Sequence, residues 1–347
     1  MKRHFLIVLV FTLGLCLSAA RPPIAHARAA DNPHLVVYQG DRGPGAGKHI
    51  VFLAGDHEYR SEETLPALAR LLARRYGFKC SVFFTIDPKT GFIEPGSSDI
   101  SGLDVLKTAD LLVVFLRFQD FPDAEMQHIV DYLDRGGPVV GLRTATHAFQ
   151  IQRPEAKFLK YTWRGVDGYP GGFGRQILGE TWVSHYGTNH KQSSRLILQQ
   201  AEASHPILRG VKDVWAQSGG YTADPIEGSH VLALGQILDG MTPDSPPAAD
   251  KKQMPVAWYR TYQGASGKSG RVFTTTHGAS EDLLNEGFRR LLVNATLWAA
   301  GMDANITPAL DVGLVGPFAP STFAFGGFVK GVKPADLAGW DSPIPRR

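Results

Sequence analysis

One loop of this sequence carries three neighbouring side chains that can transfer protons or bind a metal. It contains Asp56, His57 and Glu58, and it follows an apolar run, residues 50–54, that predicts a buried strand. Ser61 is predicted to cap the helix that begins after the loop. In an open α/β sheet, ligands bind at the carboxyl ends of the strands. We therefore predict that Asp56, His57 and Glu58 are catalytic, as an acid and base or as groups that hold a metal or polar substrate.

Polar residues also follow the other predicted strands. Because the carboxyl ends of parallel strands lie at one edge of a sheet, these residues are expected to share a pocket with His57. We predict His147 as a further catalytic residue. The predicted substrate-binding residues are Tyr59, Arg117, Arg143, His185, Tyr186 and His277. A lone histidine at a strand end is more often structural, so the two flanking carboxylates favour a functional role for His57, whereas for His147 and His277 both roles stay open.

Arg143 lies where a strand turns sharply into the next segment, the place of the nucleophile in related α/β folds. An arginine cannot attack a carbonyl, the sequence has no G-x-S-x-G motif, and Cys80 lies inside a predicted strand. Covalent hydrolysis by serine or cysteine is therefore not expected. Arg143 can instead bind an anion or a sugar hydroxyl, or it can pair with Asp56 or Glu58.

The sequence leaves two further features of the site open. A divalent metal such as zinc suits histidine and carboxylate ligands, but no H-x-x-x-H or H-E-x-x-H spacing specifies them, and His185 and His190 are only a weak signal. A Gly-rich segment, residues 148–192, is rich in aromatic residues that can form a stacking wall for a sugar ring or anchor the loop. The candidates for such a wall are Trp163, Tyr169, Phe173, Trp182 and Tyr186.

The first 27 residues predict a signal peptide, with a basic start, an apolar run over residues 5–20 and a small-x-small site that ends at Ala27. A signal peptide implies that the protein is exported to the periplasm or to the outside of the cell. An uncleaved anchor is the alternative, although sixteen residues are short for a membrane span. Three of the 36 basic residues lie in this segment, so 33 remain against 33 acidic residues. This balance argues against nucleic acid as a partner, and no later stretch resembles a membrane span.

Short apolar runs alternate with helical patterns over residues 49–303, which predicts an α/β fold with a mainly parallel central sheet. The predicted strands cover residues 50–54, 80–84, 111–116, 138–142, 194–198, 230–234, 256–259 and 271–275. The predicted helices cover residues 62–76, 123–134 and 285–300. Residues 28–48 are predicted as a leader with one edge strand, and residues 304–347 as an irregular tail packed on the domain.

Six segments together carry a family resemblance. They are Gly55-Asp56-His57-Glu58-Tyr59, residues 136–142, Ser204-His205-Pro206-Ile207, residues 255–260, residues 270–278 and residues 288–294. In their order and spacing they resemble the trehalose-utilisation, ThuA-like family. The resemblance covers about residues 49–302 and implies a flavodoxin-like, three-layer fold similar to class I glutamine amidotransferases. With residues 141–149, it looks like the exported versions common in planctomycete-type bacteria. The family's association with disaccharide and keto-sugar metabolism implies a carbohydrate ligand.

The sequence departs from that family in two segments. Many relatives carry histidine where this chain has Arg143, and an Asp-Glu pair where it has Gly219 and Gly220. The resemblance thus leaves two functions open. One is an exported enzyme that acts on a glycoside or keto-sugar by acid/base chemistry, and that is not a Cys-dependent glutamine amidotransferase. The other is a non-catalytic carbohydrate-binding or accessory module that retains the pocket.

Overall fold

The computed structural model describes Met1 and residues 32–345, so the predicted signal peptide, apart from Met1, lies outside the described residues. The strands are β1 (Leu35–Gln39), β2 (His49–Gly55), β3 (Lys79–Phe84), β4 (Leu111–Leu116), β5 (Val139–Leu142), β6 (Gly165–Val166), β7 (Tyr169–Pro170), β8 (His185–Tyr186), β9 (Ser193–Leu198), β10 (Trp215–Ala216), β11 (Gly220–Tyr221), β12 (His230–Leu238), β13 (Met254–Gln263) and β14 (Ser269–Thr275). The α-helices are α1 (Ser61–Tyr76), α2 (Asp123–Asp134) and α3 (Glu286–Ala299). Within the described part of the chain, no helix is long and apolar enough to cross a membrane.

Ten of these strands form one sheet, in the order β1-β3-β2-β4-β5-β14-β13-β12-β9-β10. The five strands from β3 to β14 in this order are parallel, which confirms the predicted α/β fold and its parallel centre. The remaining pairings are antiparallel. These outer strands are joined by turns and loops rather than by crossover helices, and only crossovers return the chain in the parallel direction.

Both faces of the parallel centre are covered, which makes the fold a three-layer sandwich. Ile50 and Phe52 of β2 pack into the layer that contains α1 and α3. Val51 and Leu53 point the other way, into the layer with α2. Strands buried on both faces are apolar throughout, and this explains the unbroken apolar runs in the sequence. Cys80 is fully buried in β3, and burial raises the pKa of its thiol.

Helix α1 begins differently from the sequence prediction. Arg60, in the left-handed conformation with φ 64°, precedes it, and no side chain caps its first turn. Ser61 is not the predicted N-cap, because its hydroxyl accepts a hydrogen bond from the backbone N–H of Asp56 at 2.9 Å. Glu62 and Glu63 of the first turn are buried, and burial raises the pKa of Glu62 to about 8. The side chains of the first turn of α1 therefore bond to other segments and do not cap the helix. Ser61 bonds to the turn after β2, and Glu63 bonds to Ser321 of the tail.

The tail beyond residue 303 lies along α1 and β1. Arg70, fully buried in α1, donates hydrogen bonds to the carbonyl oxygens of Leu337 at 2.8 Å and Ser342 at 2.6 Å. Tyr38 of β1 donates a third bond to the Leu337 carbonyl at 2.8 Å. Residues 334–337 form a 3-10 turn at this point. Buried side chains thus tie an otherwise irregular segment to the domain.

We expect that Arg70→Met lowers the free energy of unfolding by about 2–4 kcal/mol, because two buried carbonyl groups lose a charged donor. Lys107→Met, an exposed change away from the tail, is the matched control and is expected to cost less than about 1 kcal/mol. Urea unfolding followed by circular dichroism measures both. Equal stability of the two variants would show that Arg70 does not hold the tail.

Candidate functional site

Asp56 organises the turn between β2 and α1. Its Oδ1 accepts hydrogen bonds from the backbone N–H groups of Glu58 at 2.7 Å and Tyr59 at 2.5 Å. Its Oδ2 accepts a short bond from the Thr144 hydroxyl at the end of β5. The carboxylate is fully buried, and both of its oxygens serve the fold. These contacts give Asp56 a structural role in the turn, and its catalytic role stays a prediction.

His57 presents a donor to the site. Its Nε2 lies 2.8 Å from Nη1 of Arg117, and arginine can only donate, so Nε2 accepts. Burial, followed by the charge of Arg117, lowers the pKa of this imidazole. The neutral ring therefore carries its proton on Nδ1, which is buried and has no hydrogen-bond partner in the protein.

Glu58 is the carboxyl group that remains available. Its Oε2 makes an ion pair with Nε of Arg117 at 3.7 Å but accepts no hydrogen bond, and its Oε1 lies 3.4 Å from Nδ2 of Asn189. Burial first, and then the negative charge of Asp56, raise the pKa of this carboxyl. A raised pKa brings the protonation equilibrium of Glu58 closer to neutral pH, where it can accept and return a proton.

Arg143 lies at the sharp turn after β5 with a φ of 48°, and its side chain is fully buried. Its guanidinium lies between the rings of Tyr59, 4.0 Å from the centroid, and Tyr221, 4.4 Å away. Nη1 donates to the carbonyl oxygens of Gly219 and Thr276, the latter at 2.6 Å. Of the two roles left open by the sequence, pairing with Asp56 or Glu58 is not observed, because backbone carbonyls and two aromatic rings surround the guanidinium instead.

His277, directly after β14, belongs to a buried chain of hydrogen bonds. The Ser218 hydroxyl donates to Oδ2 of Asp282 at 2.9 Å and lies 3.3 Å from Nδ1 of His277. Because the Ser218 proton points to Asp282, the serine oxygen accepts the proton on Nδ1. Nε2 of His277 therefore carries a lone pair, and it has no partner. Burial lowers the pKa of His277 to about 3, so the ring stays neutral.

Aromatic rings line the site opposite α1. His147 contacts Phe118, with centroids 4.8 Å apart, and Trp182 at 5.1 Å. Trp163 and Tyr221 complete this aromatic wall, with Trp163 5.7 Å from Trp182. Burial and the charge of Arg117 hold the pKa of His147 well below its usual value. His147, predicted as catalytic, is therefore a neutral member of this wall.

Three of the predicted wall residues lie elsewhere. Tyr169 packs on Tyr161, and Phe173 packs on Phe149 in the core. Tyr186, predicted to bind substrate, donates its hydroxyl to the Lys252 carbonyl at 2.8 Å. Its neighbour in β8, His185, does reach the site. Side chains alternate along a strand, so only one of the two can face the pocket.

The 184–190 loop and the tail cover the turn after β2. His185 bonds through Nε2 to the Tyr59 hydroxyl at 3.0 Å, and burial lowers the pKa of this histidine to about 4. His190 stacks on Phe323 of the tail at 4.4 Å. Phe325 lies 5.7 Å from the ring of His57 and is 62% exposed. Neither Phe323 nor Phe325 was predicted, because the tail has no periodic pattern that would place them.

Ten buried polar atoms on nine residues of this site have no partner in the protein. They are His57 Nδ1, Glu58 Oε2, Arg117 Nε, Arg143 Nε and Nη2, Trp182 Nε1, Asn189 Oδ1, Tyr221 OH, Thr276 Oγ1 and His277 Nε2. Buried polar groups are costly unless they are paired, so this concentration marks a place suited to bind a polar ligand or water. Among the described residues, no three His, Cys, Asp or Glu side chains are grouped to hold a metal, so the predicted zinc has no ligand set there.

The comparison with known families follows the same part of the chain. The sequence model of the ThuA family, described as trehalose utilisation, matches residues 48–299. The chain belongs to the ThuA family. No curated protein sequence matches it. The matched range contains the residues that follow β2, β4, β5 and β14, while Phe323 and Phe325 lie beyond it.

Two solved structures are similar to this ThuA family member. A ThuA-like protein from Parabacteroides merdae shares 14% identity, with a TM-score of 0.45, over 81% of this chain and 95% of its own. A cytoplasmic protein from Salmonella typhimurium shares 13% identity, with a TM-score of 0.38, over 72% of this chain and 98% of its own.

The two places where the sequence is expected to differ from its relatives, Arg143 and the loop with Gly219 and Gly220, contact each other. Arg143 donates directly to the carbonyl oxygen of Gly219 and stacks on Tyr221. A side chain at Gly219 would place its Cβ 2.9 Å from the carbonyl oxygen of Tyr186, too close for the backbone to accept. The backbone beside Arg143 therefore leaves no room for a side chain at residue 219.

The low pKa of His277 predicts a dependence of stability on pH. Below pH 6.5 the unfolded chain protonates this imidazole and the folded chain does not, so the free energy of unfolding falls as the pH drops towards 3. We expect that His277→Gln reduces this slope between pH 6 and pH 4 by up to about 1.4 kcal/mol per pH unit. Urea unfolding at several pH values measures the slope, and an unchanged slope would show that folded His277 takes up a proton.

Proposed function

We propose that this protein binds a carbohydrate at the carboxyl edge of its parallel strands and acts on it by proton transfer. The observation that carries this proposal is the concentration of unpartnered buried polar atoms in one site. They include donors, such as Nδ1 of His57, and acceptors, such as Nε2 of His277. A sugar hydroxyl both donates and accepts, so a polyhydroxylated ligand suits such a mixed set.

The aromatic wall supports the same ligand class. Sugar rings expose C–H groups on their faces, and these pack on aromatic rings while the hydroxyl groups point to polar partners. Trp163 and Trp182 provide such faces beside the polar atoms, and the Trp182 Nε1 donor is one of the unpartnered groups. Membership of the trehalose-utilisation family agrees with a carbohydrate-related role.

Glu58 is the group we propose for proton transfer. Its pKa is raised by burial, one of its oxygens accepts no hydrogen bond, and Arg117 lies close enough to stabilise the charged form. It can remove a proton from a carbon beside a carbonyl or from a hydroxyl, and return it to a leaving oxygen. A glycoside or a keto-sugar provides such protons.

A non-catalytic binding module is the second candidate, and specific observations favour it. Asp56 is occupied by the fold, and the low pKa values of His57 and His147 make both of them weak bases. Of the four residues predicted to be catalytic, only Glu58 keeps a free oxygen and a raised pKa. A protein that keeps the pocket and binds sugar without turnover would show this pattern as well.

Glu58→Gln separates the two candidates. We expect the variant to bind trehalose, other disaccharides or their keto derivatives within about threefold of the wild-type affinity, because Gln keeps the shape of the side chain. Turnover is expected to fall by about 10²–10⁴-fold, because the amide cannot transfer the proton. Calorimetry measures binding and proton NMR measures turnover. Glu286→Gln, at an exposed carboxylate on α3, is the matched control and is expected to behave as the wild type.

Each outcome has one interpretation. Turnover by wild type and not by Glu58→Gln supports the enzyme. Binding by both proteins with turnover by neither supports the binding module. Wild-type turnover by Glu58→Gln would show that another group transfers the proton, and the absence of any sugar binding would overturn the proposal.

We also propose that the protein is exported, as in the planctomycete-type versions it resembles. The support is the sequence of residues 1–27, with its basic start, apolar run and small-x-small end. After expression of the full chain in a Gram-negative host, we expect the protein in the periplasmic fraction with Arg28 as its first residue. Fractionation and N-terminal sequencing test this, and a cytoplasmic protein that begins at Met1 would contradict it.

A further inference from the structure

Arg143 has one edge of its guanidinium without a protein partner. Its Nη1 donates to two backbone carbonyl groups, and the rings of Tyr59 and Tyr221 cover its two faces. The other two nitrogens, Nε and Nη2, are buried and make no hydrogen bond of ordinary geometry, although an interaction with the nearby Tyr59 hydroxyl helps to raise the pKa of Arg143. A further partner in the plane of the guanidinium can therefore hydrogen-bond to the Nε–Nη2 edge.

No carboxylate of the protein occupies that edge. Asp56 is engaged by two backbone N–H groups and Thr144, and Asp282 by Ser218 and the backbone N–H groups of residues 217, 218 and 278. Glu58 makes its ion pair with Arg117. The loop that faces Arg143 has glycine at residues 219 and 220, so it offers carbonyl oxygens and no acidic side chain.

The Nε–Nη2 edge has the geometry that binds a carboxylate through two parallel hydrogen bonds. Nearby groups can complete such a subsite. The hydroxyl groups of Tyr221 and Thr276 are buried without partners, and both can donate. Burial holds the pKa of Tyr221 well above its usual value, so its hydroxyl keeps its proton.

We propose that Arg143 binds the carboxylate of an acidic sugar, such as a uronic or aldonic acid, and so makes the ligand of this site an anionic carbohydrate. The proposal rests on the proposed function, because it assigns a ligand class to the same site. A fully buried guanidinium with a free bidentate edge recognises a planar anion better than a neutral hydroxyl. A neutral sugar would leave the Nε and Nη2 donors without a charged acceptor. The site is therefore expected to prefer acidic over neutral sugars.

The test compares acids with their neutral counterparts on the full-length protein. Titration calorimetry with D-glucuronate, D-galacturonate and D-gluconate is set against D-glucuronamide, D-galactose and D-glucose. We expect at least one acid to bind at least 10-fold more tightly than its neutral counterpart, and sodium acetate to bind at least 10-fold more weakly than that acid. Arg143→Gln is expected to remove the preference, whereas Arg271→Gln, which breaks a half-exposed ion pair with Asp303, is expected to keep it.

The comparison of acidic with neutral sugars on the wild-type protein tests the carboxylate subsite even if Arg143→Gln fails to fold. Equal binding of acids and neutral sugars overturns the carboxylate subsite and leaves the proposed carbohydrate function standing. Acetate that binds as tightly as the acids supports the Arg143 edge but removes the support for a sugar ligand. Binding of none of these compounds overturns both proposals, and an unchanged preference in folded Arg143→Gln overturns the assignment to Arg143.

Discussion

The buried guanidinium of Arg143 is the contact on which the site depends. It joins four separate parts of the chain: the turn after β2 through Tyr59, its own turn after β5, the loop before β11 through Gly219, and the end of β14 through Thr276. A buried cation is costly unless its surroundings satisfy it, so these segments must stay in register around it. The positive field of Arg143 also helps to keep the neighbouring histidines neutral.

The sequence was informative about the parallel half of the fold. Apolar runs identified β2, β3, β4 and β5, because strands covered on both faces must be apolar along their length. The position of the site followed from the same geometry, since the residues after these strands meet at one edge. His57, Arg143 and His277 are brought together for this reason. Strands β9, β12 and β13 of the antiparallel extension were also predicted, but their direction was not, because irregular loops join them.

The partners of the site residues could not be predicted from the sequence. Ser218 and Asp282 lie 64 residues apart and meet only through the fold. The structural role of Asp56 likewise depends on Thr144, which lies 88 residues away and donates a hydrogen bond to Oδ2 of Asp56. No local sequence pattern indicates this bond. Local sequence patterns indicate which residues are buried and where strands and helices begin and end. The choice between a catalytic and a structural carboxylate depends on long-range hydrogen bonds, and only the three-dimensional arrangement reveals it.

The contribution of the tail has a practical consequence. Ser321 bonds to Glu63, the N–H of Gly326 donates to the carbonyl of His57 at 2.8 Å, and Phe325 lies over the guanidinium of Arg117. These residues follow the range that matches the family, which ends at residue 299. An expression fragment that ends at residue 299 would contain every strand of the sheet but would lack the residues that cover the turn after β2. Measurements on such a fragment would describe a site without this cover.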